Sequence, residues 1–326
     1  MNPQDLRIVF MGTPALAAFS LKRLHEEGYK VVGVISAPDK PAGRGLKLQP
    51  SEVKNYAVEK GIPVLQPEKL KSPDFLEELY ALKPDVQVVV AFRMLPESVW
   101  NLPPFGTFNM HASLLPQYRG AAPINWAIIN GEKETGVTTF LLDKEIDTGK
   151  ILLQERVPIF ENETAGNLHD RIMVAGADLV IRTINLIASG NLEPIEQSEL
   201  IPDPGQLKKA PKIFKDDCLI DWKRSCSELV KLIHGMSPVP GAFTVFKDGS
   251  EELVLKIFEA EAKEAIHKYN YGEVFSDQKN TLAFSTPDGF LFVKSLQAAG
   301  KRRMKVTEFL RGFRFKQVKK LPISGH

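Results

Sequence analysis

The stretch LRIVFMGTPALAAFSLKRLHEEG, residues 6 to 28, decides the fold. LRIVFMG is a short apolar run closed by glycine. The residues after it carry apolar side chains at helical spacing as far as Gly28, which suits a helix C-cap. The reading is strand, turn, helix. The pattern repeats outward: YKVVGVIS (29 to 36) reads as a buried strand, SEVKNYAVEKG (51 to 61) as a helix, and IPVLQ (62 to 66) as a strand. PDFLEELYALK (73 to 83) then reads as a helix and DVQVVVAF (85 to 92) as another strand. Strands alternating with helices predict an α/β domain, a Rossmann-like and mostly parallel sheet with right-handed crossovers and helices on both faces.

Such sheets take ligands beyond the carboxyl ends of their strands. The first turn here is GTPALA, with Pro14 and Ala17 where a dinucleotide fingerprint needs close backbone approach to a pyrophosphate. No GxxxxGK[ST] occurs either, so a dinucleotide or nucleoside triphosphate is not the expected ligand.

A chain of 326 residues predicts two domains. The four-proline segment NLEPIEQSELIPDPGQLKKAPK (191 to 212) marks the join. We expect one domain over 1–190, a linker over 191–208 and a second domain over 209–326. In the last, a helix (225 to 236) precedes GAFTVFKDGSEELVLKIFEAE, YGEVFSD, TLAFSTPDG and FLFVKSLQ, short strands with turn signals. Their natural closure is a small antiparallel β-barrel, OB-like, an architecture that often carries nucleic-acid surfaces.

Composition is that of a soluble chain, 43% hydrophobic and 25% charged. No leader is evident at MNPQDLRIVF and no window approaches the roughly 18 apolar residues of a membrane span, which predicts a cytoplasmic protein without membrane contact. Cys218 and Cys226, eight apart and without CxxC spacing, predict free thiols and no metal site. The net charge of +2 is unevenly spread: 20 Lys+Arg against 26 Asp+Glu up to residue 204, and 22 against 14 from residue 205. An acidic front and a basic back predict that the back meets a polyanion.

The candidate chemistry lies in NMHASLLP, 109 to 116. If this segment is a strand, Asn109 and His111 at i and i+2 project from one face. Further on, ETGVTTFLLDKEIDTGKILLQERVPI reads as two strands joined by a loop whose Asp147 lies 36 residues beyond His111. Each of the three alone reads as structural; together they have complementary uses in acyl transfer to an amine. An asparagine amide can donate to a tetrahedral oxyanion, and a histidine can pass a proton from an attacking amine to a leaving nitrogen. An aspartate can orient the imidazole and favour its protonated form. No serine or cysteine nucleophile is needed, because an amine attacks by itself.

These residues carry a resemblance. Asn-x-His-x-Ser-Leu-Leu-Pro and a later Asp-Thr-Gly, present here at Asn109, His111, Ser113 to Pro116 and Asp147 to Gly149, resemble the signature of formyltransferases that use 10-formyltetrahydrofolate. IVFMGTP, PDKPAGRGLKLQPSEVK (38 to 54), QYRGAAPI and the APKIF and IDW segments are most similar, in order and spacing, to family members that formylate initiator methionyl-tRNA. The resemblance covers nearly the full length. It implies Asn109, His111 and Asp147 as catalytic residues, Ser113, Leu114, Leu115 and Pro116 as lining for the folate site, and 10-formyltetrahydrofolate as co-substrate without a metal.

It also implies that the proline- and glycine-rich loop holding Arg44 enters the tRNA acceptor stem. Lys208, Lys209 and Lys212 of the linker, with Arg302 and Arg303 in the basic tail KRRMKVTEFLRGFRFKQVKK, would supply a surface for the tRNA backbone. No obligate protein partner is implied. Two positions depart from the pattern: Phe92 and Arg93 replace the usual Tyr-Gly after the central strand, and Leu16 stands where an aromatic residue commonly follows the first turn. Members acting on a sugar amine or glycinamide ribotide share the trio and are the nearest alternative. A non-catalytic tRNA-binding protein is the alternative of another class.

Overall fold

The computed structural model describes residues 1–42, 47–201 and 204–320, which fall into two compact units. The first comprises Met1–Pro123, Glu134–Pro158 and Asp170–Lys209; the second comprises Ile124–Lys133, Ile159–His169 and Ala210–His326.

The first unit opens with β1 (Ile8–Gly12), α1 (Ala15–Glu26) and β2 (Val31–Ile35). A hairpin of β3 (Lys40–Ala42) and β4 (Lys47–Gln49) follows, then α2 (Glu52–Glu59), β5 (Val64–Leu65), α3 (Pro73–Ala81) and β6 (Val86–Val90). The chain continues through α4 (Glu97–Trp100), β7 (Thr107–His111), β8 (Arg119–Gly120), α5 (Pro123–Ile129), β9 (Glu134–Leu141), β10 (Ile151–Pro158) and α6 (Ala165–Ser189), with α5 and α6 running across the unit boundaries. The main sheet has the order β10-β9-β7-β6-β1-β2-β5. Its five strands from β7 to β5 are parallel, and β9 and β10 extend it as an antiparallel pair.

Local sequence explains the framework. Ser51 caps α2 by accepting a hydrogen bond from the Lys54 amide at 3.0 Å. A side chain on Gly12 would place its Cβ 2.5 Å from that of Ala17 and 2.9 Å from the Val90 carbonyl oxygen, so glycine is what lets α1 start against β1 and β6. Val9, Met11, Ile35 and Val89 pack with Phe75 and Leu79 of α3, while Met110, alternate along β7, lies against Gly176 of α6 on the other face. Helices therefore cover both faces, as the alternating pattern predicts.

Two features differ from the sequence reading. The segment around Arg44 is not wholly irregular, because Lys40–Ala42 and Lys47–Gln49 pair; Arg44 itself lies outside the described residues. The helix α6 is long and apolar enough, by length and composition, to cross a bilayer, although no such window was expected. Half of its most apolar window is buried inside the protein, and Thr139 and Thr183 hydrogen-bond between β9 and α6 at 2.8 Å. That is the behaviour of a core helix.

The second unit holds the end of the two-residue β11 (Lys209–Ala210), α7 (Cys226–Gly235), β12 (Ala242–Asp248), β13 (Glu251–Glu264) and β14 (Val274–Ser276). β15 (Leu282–Thr286), β16 (Gly289–Ala298), β17 (Met304–Lys305) and α8 (Val306–Gly312) complete it. The antiparallel sheet has the order β12-β13-β16-β15-β14, with β17 on β16, and wraps a core in which Leu229 and Ile233 of α7 meet Leu255, Ile257, Phe284, Leu291 and Leu310. Isolated bridges from Leu219 and Phe275 to Phe243 and Lys319 extend its two edges. Ser225 and Glu228 start α7 with a reciprocal capping box. Cys218 and Cys226 are buried free thiols, and burial pushes the Cys226 thiol up to about 11.

Candidate active site

The strand β7 ends at His111, beside β6 at the carboxyl end of the parallel strands. Asn109 and His111 point to one face of it, as the i, i+2 spacing predicts. His111 is 7% exposed, and its Nε2 lies 2.9 Å from the Tyr118 carbonyl oxygen. A carbonyl can only accept, so the neutral ring carries its proton on Nε2 and leaves Nδ1 as the basic nitrogen. That Nδ1 lies 3.9 Å from Asp147 Oδ2. The separation is too long for a direct hydrogen bond, so the Tyr118 carbonyl orients the ring, and Asp147 reaches it as a neighbouring negative charge.

Asp147 is positioned by its own set of contacts. It adopts a left-handed backbone with φ 56°, and its Oδ2 accepts from the Gly120 amide at 2.9 Å. The loop before it is tied by Asp143, whose Oδ1 accepts from the Glu145 amide at 2.9 Å and the Thr148 hydroxyl at 2.8 Å. Gly149 closes the turn where no side chain fits: a Cβ there would stand 1.7 Å from the Leu141 carbonyl oxygen. This steric demand is the physical content of the Asp-Thr-Gly pattern.

Asn109 is half-buried, and among the described residues its Oδ1 is a buried atom with no hydrogen-bond partner. A buried amide oxygen lacking a donor on its own protein is costly unless a ligand supplies one. It stands two residues from His111 on the same face.

The SLLP turn behaves differently. The Ser113 hydroxyl donates to the Gln117 carbonyl at 2.6 Å, and Leu115 packs with Phe140 and Ile151. The Leu115 backbone is held by Thr138 at 3.1 Å and Gln154 at 2.8 Å. Ser113, Leu115 and Pro116 are buried, while Leu114 is half-buried. The first three thus shape the turn from inside.

A cavity of about 430 Å³ opens at the carboxyl ends of β1, β2 and β6, among Thr13, Ala37, Lys40, Glu68, Phe92 and Arg93. It lies where the strand order reverses between β1 and β6, the expected place for a ligand in such a sheet. Phe92 and Arg93 are therefore part of a cavity wall. The Arg93 guanidinium donates to the Glu68 carbonyl at 2.9 Å and to that of Pro67. Leu16 is buried in the first turn of α1, 8% exposed.

Sequence reasoning missed Gln197 in the proline-rich segment. It is 2% exposed, and its Nε2 donates to the carbonyls of Asp147 at 2.9 Å and Gly149 at 2.8 Å. Its Oε1 accepts from Arg119 Nη2 at 2.6 Å and Nε at 3.1 Å. Nothing local in the sequence signals this, because the partners are about 50 and 78 residues away.

The basic candidates separate into groups. Lys208 and Lys209 are exposed at the end of the first unit. In the second unit, Lys212 lies 5.5 Å from the ring centroid of Phe214, which is 62% exposed. Arg302 and Arg303 are bound to carboxylates of their own unit, Glu308 and Glu259.

Comparison with known proteins shows the family. The family described as formyl transferase matches residues 6–184, and its C-terminal domain matches residues 212–314. The chain is 54% identical over 316 residues to a methionyl-tRNA formyltransferase of Parabacteroides distasonis, covering 96% of this chain and 98% of that one. It is 52% identical over 315 residues to the same enzyme of Bacteroides thetaiotaomicron, at 96% and 98% coverage. Among solved structures, an N-formyltransferase of Helicobacter canadensis with folinic acid and dTDP-3-aminofucose shares the fold at TM-score 0.65 and 23% identity, covering 90% of this chain and 99% of that one. HypX of Aquifex aeolicus with tetrahydrofolic acid does so at TM-score 0.64 and 20% identity, covering 98% and 49%.

Proposed function

The chain belongs to the formyl transferase family, and from that premise we propose that it moves the formyl group of 10-formyltetrahydrofolate to the amino group of methionine on initiator tRNA. The product is formylmethionyl-tRNA for the start of translation, and the place of work is the cytoplasm. The observation that carries the chemistry is the pairing on β7: a histidine with Nδ1 left basic, two residues from the carboxamide of Asn109 on the same strand face.

The α-amine nitrogen adds to the formyl carbon and the carbonyl π pair moves onto oxygen. The Asn109 amide donates to that oxyanion, an interaction worth about 3 to 4 kcal/mol of barrier in comparable sites. His111 Nδ1 takes the proton released by the amine, and Asp147 at 3.9 Å stabilises the imidazolium. The oxyanion pair then re-forms the carbonyl as the bond from the formyl carbon to N10 breaks; that bond's electron pair goes to N10 and the proton follows from His111. Tetrahydrofolate leaves.

In this reading residues 1–190 perform the chemistry, 191–208 link, and 209–326 hold the tRNA. Ser113 to Pro116 act on the folate side through the turn they build. Lys208, Lys209 and Lys212, with the exposed ring of Phe214, meet the RNA; Arg44 belongs to the same reading, although it lies outside the described residues. The test is to incubate the protein with the formyl donor and, separately, charged initiator tRNA and a nucleotide-linked amino sugar. Formylation of the tRNA alone is expected. Formylation of the sugar alone would reassign the acceptor, and formylation of neither would remove the activity.

A further inference from the structure

Three consecutive residues of β8 and its approach hold the acid–base pair. The Tyr118 carbonyl binds His111 Nε2 at 2.9 Å, and the Gly120 amide binds Asp147 Oδ2 at 2.9 Å. Between them, Arg119 sends its guanidinium to Gln197 Oε1. Gln197 returns its amide protons to the carbonyls of Asp147 and Gly149. The result is a closed circuit from Arg119 through Gln197 to Asp147 and back through Gly120.

The circuit answers a problem posed by Asp147. A non-glycine residue at φ 56° persists only where the surroundings impose it. Gln197 supplies that restraint from a buried position, bonding the carbonyls on both sides of Thr148. Glutamine suits the task chemically: one end must accept from an arginine and the other must donate twice, which neither a carboxylate nor an alkyl chain can do. The neighbouring segment is stitched along the same line, with the Tyr118 amide donating to the Lys208 carbonyl at 2.7 Å and the Lys208 amide donating to Gln117 Oε1 at 2.8 Å.

Resting on the reading of Asp147 as the carboxylate that supports His111, we infer that Gln197 is a positioning residue for formyl transfer. It acts through Asp147 and touches no substrate. Displacing a catalytic group by about 1 Å can cost on the order of 100-fold in rate, so a glutamine that fixes this loop belongs to the turnover number and not to substrate affinity.

The test is a double-mutant cycle in the full-length protein, measuring kcat and KM for tRNA and folate in Gln197→Ala, Asp147→Asn and the pair, with thermal melting of each. Gln197→Ala is expected to lower kcat about 10- to 100-fold with both KM values within about threefold, and to lower it less than about threefold further when Asp147→Asn is already present. A variant with a merely structural defect would lose the same factor in both backgrounds. If Gln197→Ala does not fold, Gln197→Glu keeps the volume and the Arg119 contact but lacks the N–H donors, and the same kcat loss is expected. Equal losses in the two backgrounds, or wild-type kcat in the glutamine variants, overturn the inference. An Asp147→Asn enzyme with full activity would overturn the role of Asp147 as well, which separates the two failures.

Discussion

His111 in the first unit and His234 in the second are buried to nearly the same degree, 7% and 5% exposed, yet their neighbours differ in kind. His111 donates from Nε2 to a carbonyl and turns Nδ1 toward a carboxylate. His234 sits in α7, where its Nε2 accepts from the Ala260 amide at 3.4 Å, and burial lowers its pKa while Glu259 opposes that effect. Burial alone makes a histidine a neutral core residue. A proton carrier needs an open basic nitrogen and a charge to stabilise what it picks up. The cations show the same contrast: Arg119 serves the Asp147 loop, whereas Arg303 is bound by Glu259 of its own unit.

The largest expected effect tests this contrast directly. His111→Ala should lower turnover by roughly 10²- to 10⁴-fold, and Asn109→Ala by roughly 10²- to 10³-fold, with tRNA binding little changed, because in the proposed mechanism both side chains act on charge that develops in the transition state. His234→Gln should change turnover less than about threefold while lowering the melting temperature. Steady-state kinetics on the three variants decide the matter. A His234 variant as impaired as the His111 variant would break the comparison.

A smaller effect is expected on tRNA affinity. Phe214→Ala should weaken binding about tenfold if an unpaired base stacks on the exposed ring, since such stacking is worth about 1 to 3 kcal/mol. Lys212→Ala should make the dependence of log affinity on log salt shallower by nearly one unit, the amount expected when one ammonium neutralises one phosphate. Arg302→Ala should do less than either, because its guanidinium is already engaged by Glu308. Filter-binding titrations at several salt concentrations measure all three. A larger change for Arg302 than for Lys212 would show that its ion pair opens for the RNA.

The sequence made local relations legible and left tertiary ones dark. The β7 pair was readable because strand alternation fixes which side chains share a face. The Asp-Thr-Gly turn was readable because a left-handed aspartate and a crowded glycine leave a local signature. Gln197 was not readable: it stands in a proline-rich segment without periodicity, and its meaning comes from the loop it binds. The partner of Arg303 was hidden for the same reason, since Glu259 is 44 residues away and nothing in the basic run points to it. Nor could periodicity show that α6 would be shared between two units, because an apolar helix reads the same whichever core receives it.

The smallest effect concerns pH and returns to the second histidine. The folded-state pKa of His234 is lowered from 6.5 because burial disfavours its charged form, so the unfolded chain binds the proton more readily than the folded one. Stability from this residue is therefore complete above pH 6.5 and is lost as pH falls through that value toward the folded pKa. Glu259 is the charged neighbour that resists this loss, so Glu259→Gln should lower the folded pKa further and steepen the dependence. His234→Gln, which cannot titrate, should flatten the curve of melting temperature against pH below 6.5, with a slope change no larger than that of about one proton. An unchanged slope would mean that His234 gains its proton as easily folded as unfolded, and the difference drawn between the two histidines would then rest on geometry alone.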